Sequence, residues 1–498
     1  MPFMDRRSFL IASAATAASL KSFAQTSAIS APQIATLMLH PDRPGPTIPQ
    51  NFVGLSYETQ QLSGPSFFSP ANSGLIAQFR ALAPRGVLRI GGNTSDVGWW
   101  KPTPASVMPP LPANVVLTVP PGEKSPLDLA YAVTPEAVRN LRGFLDATGW
   151  TCLYGINLGT NTPELAAEQA VFVAKTLGTK LEYFQIGNEP DGFPHRFRDK
   201  ATWNANIYLD DWLAAVNAIR ARVPDARFGM PDIASNVGWL APIVDRLAGL
   251  AGAPHVAAIS HHYYFTGPPS NPKANVNDLL RADPRVAHDA GLALAAAAKL
   301  GTRFRMTEGN TCYRGGKPGL SDVFAASLWA ADYLLTLASL GYAGVNLHGG
   351  DGQMVANSLG GRLPGDDLVT DDPASHPHPY YTPIAHIGSK YVAEPVSFGM
   401  RFAGMFAGAT MVPVEFYPGA VNATAFAAKR GGETLVAILN KDATQGLSVK
   451  LPGTPSAVDT VSASSLSSTD VKQGHAGLMP GASQPVGPHS MTMFRMKA

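Results

Sequence analysis

Short runs of apolar, β-branched and aromatic residues alternate with longer stretches of helical periodicity over most of the chain. The runs 52–58, 87–93, 152–159, 182–189, 227–232, 257–264, 303–310 and 343–348 read as strands. Between them, 135–147, 163–177, 203–222, 240–251, 286–300 and 322–339 carry apolar residues at helical spacing. Helix starts are marked as well. Thr134-Pro135 and Thr162-Pro163 each set a capping hydroxyl before a proline suited to the first helical position, and Ser321-Asp322 opens another helix. Eight strand candidates, each followed by a helix or a long loop, predict a closed (β/α)8 barrel. An open doubly wound sheet would call for a glycine-rich phosphate loop after its first strand, and Gly54-Leu55-Ser56-Tyr57 is not one.

The pattern changes near residue 395. From 396 to 498 no helical periodicity stands out. Alternating runs at 410–416, 423–428, 434–440, 447–451, 457–462 and 490–496, separated by Gly, Pro, Ser and Asp, predict an antiparallel β-sandwich. The run 35–40 also reads as a strand, and chain ends often lie close together. The expected organisation is therefore a segment 25–48 whose strand joins the sandwich, a barrel over 49–394 and a sandwich over 395–498.

Composition sharpens this picture. Apolar residues make up 45% of the 498 residues, enough for a large core, so a disordered chain is excluded. Charged residues reach only 15%, and 48 glycines and 43 prolines fit a fold rich in loops. The first residues stand apart. Arg6-Arg7-Ser8-Phe9-Leu10, the apolar run from Ile11 to Leu20 and Ser22-Phe23-Ala24 resemble a twin-arginine export signal over 1–24, which predicts a periplasmic or extracellular protein. That run is shorter than the roughly 20 residues of a membrane span. The net charge of +2 comes from the same segment: Arg6, Arg7 and Lys21 belong to the 38 basic residues and Asp5 to the 36 acidic ones, so the remainder balances. A balanced chain is not expected to bind nucleic acid, and no membrane partner is expected. His261-His262 lacks partners at metal-site spacing, so no metal and no cofactor are expected. Cys152 opens the third predicted strand and Cys312 follows the seventh, at opposite ends of a barrel. A disulfide requires Cα atoms within about 7 Å, so both thiols are expected to stay unbridged.

Catalytic side chains in such barrels sit at the C-terminal ends of strands. The polar residues there are Glu58, Arg89 to Asn93 with Asp96 beyond, Asn188-Glu189-Pro190, His261-His262-Tyr263-Tyr264 and Thr307-Glu308-Gly309-Asn310. Two glutamates at one barrel mouth suit glycoside hydrolysis, in which one carboxyl protonates the leaving oxygen and the other attacks the anomeric carbon. A glutamate at a strand end also serves as a helix cap, so either one alone carries little weight.

Asn188-Glu189-Pro190 with Glu308 resembles the retaining (β/α)8 glycosidases. Arg89-Ile90-Gly91-Gly92-Asn93-Thr94-Ser95-Asp96, His261-His262-Tyr263-Tyr264 and Tyr313-Arg314-Gly315-Gly316 narrow the resemblance to glycoside hydrolase family 79, the β-glucuronidases and heparanase-like enzymes. The resemblance implies Glu189 as acid/base and Glu308 as nucleophile. It implies Asn188 on the sugar 2-hydroxyl, Tyr264 on Glu308 and Glu58 on a distal hydroxyl, with Asn93 and His262 beside the substrate. Tyr313 and the Gly315 amide would receive the uronate carboxylate. The family pattern has glycine directly after this tyrosine; here Arg314 stands there, a second candidate for the carboxylate, as is Lys317 further on. Residues 349–379 contain no tyrosine to complete a carboxylate site. The expected activity is removal of β-linked glucuronic acid from glycosides or polysaccharides. Two alternatives stay open: a retaining arabinofuranosidase or xylosidase acting on neutral sugars, and a non-catalytic carbohydrate-binding barrel.

Overall fold

The structure, a computed structural model, describes residues 31–234, 236–361 and 379–497. The expected export segment lies outside these residues. No helix among the described residues is long and apolar enough to cross a membrane.

Eight parallel strands close into a barrel in chain order: β1 (Val53–Glu58), β2 (Val87–Gly91), β3 (Thr151–Ile156), β4 (Leu181–Ile186), β5 (Phe228–Ile233), β6 (Val256–Thr266), β7 (Arg303–Cys312) and β8 (Val345–Gly349). Each predicted strand is present within a few residues. Around them run α1 (Ser73–Leu82), α2 (Pro135–Thr148), α3 (Pro163–Leu177), α4 (Ala205–Arg222), α5 (Leu240–Ala248), α6 (Pro284–Lys299) and α7 (Phe324–Ser339). The Thr134 and Thr162 hydroxyls cap α2 and α3, accepting from Ala137 N and Leu165 N, and Pro135 and Pro163 take the first helical positions.

One expectation is corrected. The stretch after 396 opens with a helix, α8 (Pro395–Gly404), which packs on α7 and follows β8 as the last helix of the barrel ring. Gly399 explains both the packing and the weak helical signal. A Cβ there would lie 2.0 Å from the Ser327 carbonyl oxygen, so the close approach of α8 to α7 requires glycine, a poor helix former.

Beyond α8, two sheets form the sandwich. One runs Val414–Tyr417, Gln33–Leu39, Leu447–Lys450, Ser483–Val486. The other has six strands, with Glu433–Asn440 and Ser490–Lys497 at its centre. Gln33–Leu39 pairs antiparallel with Val414–Tyr417 and parallel with Leu447–Lys450, so the sandwich is not purely antiparallel. Ala35, Leu37, Val436, Ile438 and Phe494 fill the space between the sheets. Cys152 lies in β3 and Cys312 ends β7; both are buried and no disulfide joins them.

Candidate active site

The strand ends surround a cavity of about 900 Å³, lined by Glu58, Glu189, Tyr264, Glu308, His348 and Tyr381 around its base and by charged side chains further out.

Local backbone geometry aims the key side chains. After β4, Gly187 (φ 79°) and Glu189 (φ 48°) both take left-handed conformations. The turn is tied down by Asn188 N–H donating to Asp96 Oδ2 (2.9 Å) and Glu189 N–H donating to the Asp232 carbonyl (2.9 Å). For a non-glycine residue this conformation costs roughly 1–3 kcal/mol and persists only where surrounding contacts impose it. On β7 the register against β6 skips Thr307, and on β5 the register against β6 skips Asp232. Such bulges re-aim side chains next to active sites. Here the two skipped residues meet: the Thr307 hydroxyl donates to Asp232 Oδ1.

Arg89 lies buried on the barrel axis. It donates to Ser56 Oγ (2.8 Å), Glu308 Oε2 (2.7 Å), Asn188 Oδ1 (2.6 Å) and Asp232 Oδ2 (2.5 Å). The Tyr264 hydroxyl donates to Glu308 Oε1 (2.9 Å), and His348 Nδ1 lies 3.7 Å from Oε2. Burial pushes the Glu308 carboxyl up, but His348, His262, Arg89 and the Tyr264 hydroxyl outweigh it and hold it at about 2. Glu189 shifts the other way. Burial raises it above the usual carboxylate range, and the His262 hydrogen bond only partly opposes this. His262 spans two acids, with Nδ1 at 2.8 Å from Glu189 Oε1 and Nε2 at 3.1 Å from Asp232 Oδ1. Burial works against its charge, yet Asp232, Glu308 and Glu189 raise it to about 10.

Glu189, His262 and Glu308 offer donor atoms that all lie within 4.8 Å of one another, a spacing that suits a cation. His262 does not fit that role. Its nitrogens are already engaged, Nδ1 with Glu189 Oε1 and Nε2 with Asp232 Oδ1, so a cation would have to displace an existing contact.

The structure places the other expected residues as follows. Glu58 accepts from the Thr94 amide (2.9 Å) and hydroxyl (2.7 Å) and faces His348 Nε2 at 3.3 Å. Asn93 lines the cavity; its Oδ1 accepts from Asn188 Nδ2 (3.0 Å) and its Nδ2 donates to the Ser358 carbonyl (3.2 Å). Asn188 and His262 stand behind the cavity wall. His262 contacts Glu189 there. Tyr313 and Arg314 line the cavity, while Gly315 is buried beneath them and its carbonyl accepts from Tyr381 N (3.4 Å). Lys317 is committed elsewhere, donating to the Ala274 carbonyl (2.7 Å).

Four residues escaped sequence reasoning as members of the site. Arg89 lay inside a quoted motif, and a lone cation in an apolar strand was its signal. Asp232 and His348 also end strands. Tyr381, just past the tyrosine-free residues 349–379, lines the cavity with its ring 6.3 Å from Tyr264 and 5.9 Å from His348.

No protein-family model matches the chain. Two curated relatives do. Over 310 residues the chain is 26% identical to a β-glucuronidase of Aspergillus niger, covering 58% of this chain and 55% of that protein. Over 294 residues it is 26% identical to a β-glucuronidase of Neurospora crassa, covering 53% and 50%. The chain thus spans about half the length of the curated relatives it matches. Among solved structures, a 4-O-α-L-rhamnosyl-β-D-glucuronidase of Fusarium oxysporum aligns over 93% of this chain and 100% of its own (TM-score 0.65, 16% identity). An α-L-arabinofuranosidase of Thermotoga maritima aligns over 94% and 100% (TM-score 0.63, 15% identity). At these identities the structural matches speak to the fold: a barrel with an attached β-sandwich.

Proposed function

We propose that this protein is a retaining glycoside hydrolase of the family 79 kind that releases β-linked glucuronic acid, acting outside the cytoplasm. The observation that carries this reading is the paired carboxylates. An oxygen of Glu189 and one of Glu308 lie within 4.8 Å, which supports the close carboxyl spacing of retention, about 5–5.5 Å, over the wider about 6.5–9.5 Å of inversion. Their environments also shift them in opposite directions, Glu189 upward and Glu308 downward.

Glu308, ionised, attacks the anomeric carbon. As that bond forms, the bond to the leaving oxygen breaks and Glu189 delivers its proton to that oxygen. A water then enters, Glu189 takes one of its protons, and the hydroxide so formed displaces Glu308 with the anomeric configuration restored. Arg89 and Tyr264 orient the nucleophile through their hydrogen bonds to its two oxygens. Tyr313, Arg314 and Tyr381 form the wall on which a uronate carboxylate would rest. A desolvated carboxylate needs such donors, and a neutral sugar would leave them unpaired. The sequence relatives favour the glucuronide over the neutral-sugar alternative; the structural neighbours do not separate the two, since the arabinofuranosidase aligns as fully as the glucuronidase.

The test is a panel of aryl β-glycosides with product anomers followed by NMR. Glucuronide hydrolysis with initial release of the β-anomer is expected. A higher kcat/KM for glucoside, xyloside or arabinofuranoside would overturn the substrate assignment, and initial release of the α-anomer from the glucuronide would overturn retention.

A further inference from the structure

Asp232 lies beneath the cavity floor, fully buried and out of reach of substrate. Its residue is left-handed (φ 59°) at the β5 bulge, a conformation that aspartate adopts more readily than most side chains. Its two oxygens divide the floor between them. Oδ2 accepts from Arg89, whose other amino group holds Glu308. Oδ1 faces His262 Nε2, whose other nitrogen meets Glu189. The Thr307 hydroxyl fixes the carboxylate between them. Among the described residues, Asp232 thus touches the partners of both glutamates without touching either side chain.

Resting on the glycosidase reading, we propose that Asp232 is a positioning residue: it anchors Arg89 beside Glu308 and His262 beside Glu189, so that each glutamate meets a fixed cation whenever it carries the negative charge. The charge moves during catalysis. Before attack Glu308 is anionic and Glu189 protonated. In the glycosyl-enzyme Glu308 is an ester, and Glu189 has lost its proton to the leaving oxygen. One negative charge has crossed the floor while Arg89, His262 and Asp232 keep theirs, so the sum is unchanged. No buried group must move to compensate, as preorganised electrostatic stabilisation requires. The groups facing His262 are Asp232 on β5, Glu189 after β4, Glu308 on β7, Arg89 on β2 at 3.5 Å and the neighbouring His261. Among them Arg89 opposes the imidazolium, and Asp232 is the foremost of the carboxylates that offset it.

Asp232→Asn keeps the shape and removes the charge. Two readouts test it. The first is the titration of His262 in protein labelled with 15N in its imidazoles, assigned by the signal lost in His262→Gln. In wild type His262 is expected to stay charged to about pH 10. In Asp232→Asn it should hold its proton at least about tenfold more weakly, since a buried group loses its nearest counter-charge. The second is leaving-group dependence across aryl glycosides. The loss in kcat/KM should reach about a hundredfold for poor leaving groups and be smallest for good ones, because the anion left on Glu189 loses its cation. His262→Gln should steepen the dependence similarly, and the double variant should add little further. An unmoved His262 titration, or losses equal across the series, would overturn the proposal. If Asp232→Asn fails to fold, His262→Gln decides through the leaving-group series. If wild type cleaves no aryl glycoside, the glycosidase reading fails separately, while the titration still tests the pairing of Asp232 with His262.

Discussion

Glu308 and Glu189 carry the same side chain to the same cavity, and the regions around them differ in what they offer it. On the β7 side a guanidinium, a phenol and an imidazole converge on Glu308 and hold it low. On the β4 side burial dominates, and His262 is the neighbour that opposes it. One region therefore favours the charged form of its carboxyl, and the other disfavours it. Chemical role follows from the count and charge of donors around each carboxyl, not from residue type or strand-end position.

The largest effect should come from emptying the anionic side. Glu308→Gln is expected to lower kcat by about 10⁴-fold or more. Substantial residual turnover would erase the distinction between the regions. Glu189→Gln should sharpen it. Losses of about 10²–10⁴-fold are expected for substrates with poor leaving groups and far smaller ones for activated aryl glycosides. A uniform loss across the series would show that the β4 side does not supply the proton.

Removing the shared cation should cost stability. Arg89→Met leaves Glu308 and Asp232 buried without it, and breaking such pairs costs about 3–5 kcal/mol. Urea denaturation measures this, and a change below about 1 kcal/mol would mean that the carboxylates find other partners.

The two sides also respond to pH in opposite directions. The folded value of Glu308 is depressed, so its contribution to stability is complete above the unfolded value near 4.3 and is lost as pH falls toward about 2. The folded value of His262 is raised, so its contribution is complete below about 6.5 and is lost as pH rises through about 10. Melting temperatures over this range should decline at both ends. A stability flat from pH 6.5 to 10 would contradict the imidazolium. In activity the raised Glu189, not Glu308, should set the alkaline limb.

The smallest effect concerns the outer wall. Tyr313 is partly exposed, so Tyr313→Phe should narrow the glucuronide-to-glucoside ratio of kcat/KM by about tenfold, the worth of one charge-assisted hydrogen bond. An unchanged ratio would move the carboxylate site away from this residue.

By itself the sequence determined the barrel, the order of its strands and the strand-end glutamates. Periodicity and capping are properties of neighbouring residues, and those neighbours are adjacent in the chain. Only the tertiary structure decided how these residues pair. Arg89, Asp232 and His348 join the site because barrel closure brings distant strands within hydrogen-bond range. The bulges at Asp232 and Thr307 shift the register by one position, which no alternation pattern records. Helix α8 was obscured because Gly399 serves its packing on Ser327 at the expense of helix propensity. The opposite shifts of Glu189 and Glu308 arise from desolvation and charge acting over a few ångströms, and those distances exist only once the barrel has closed.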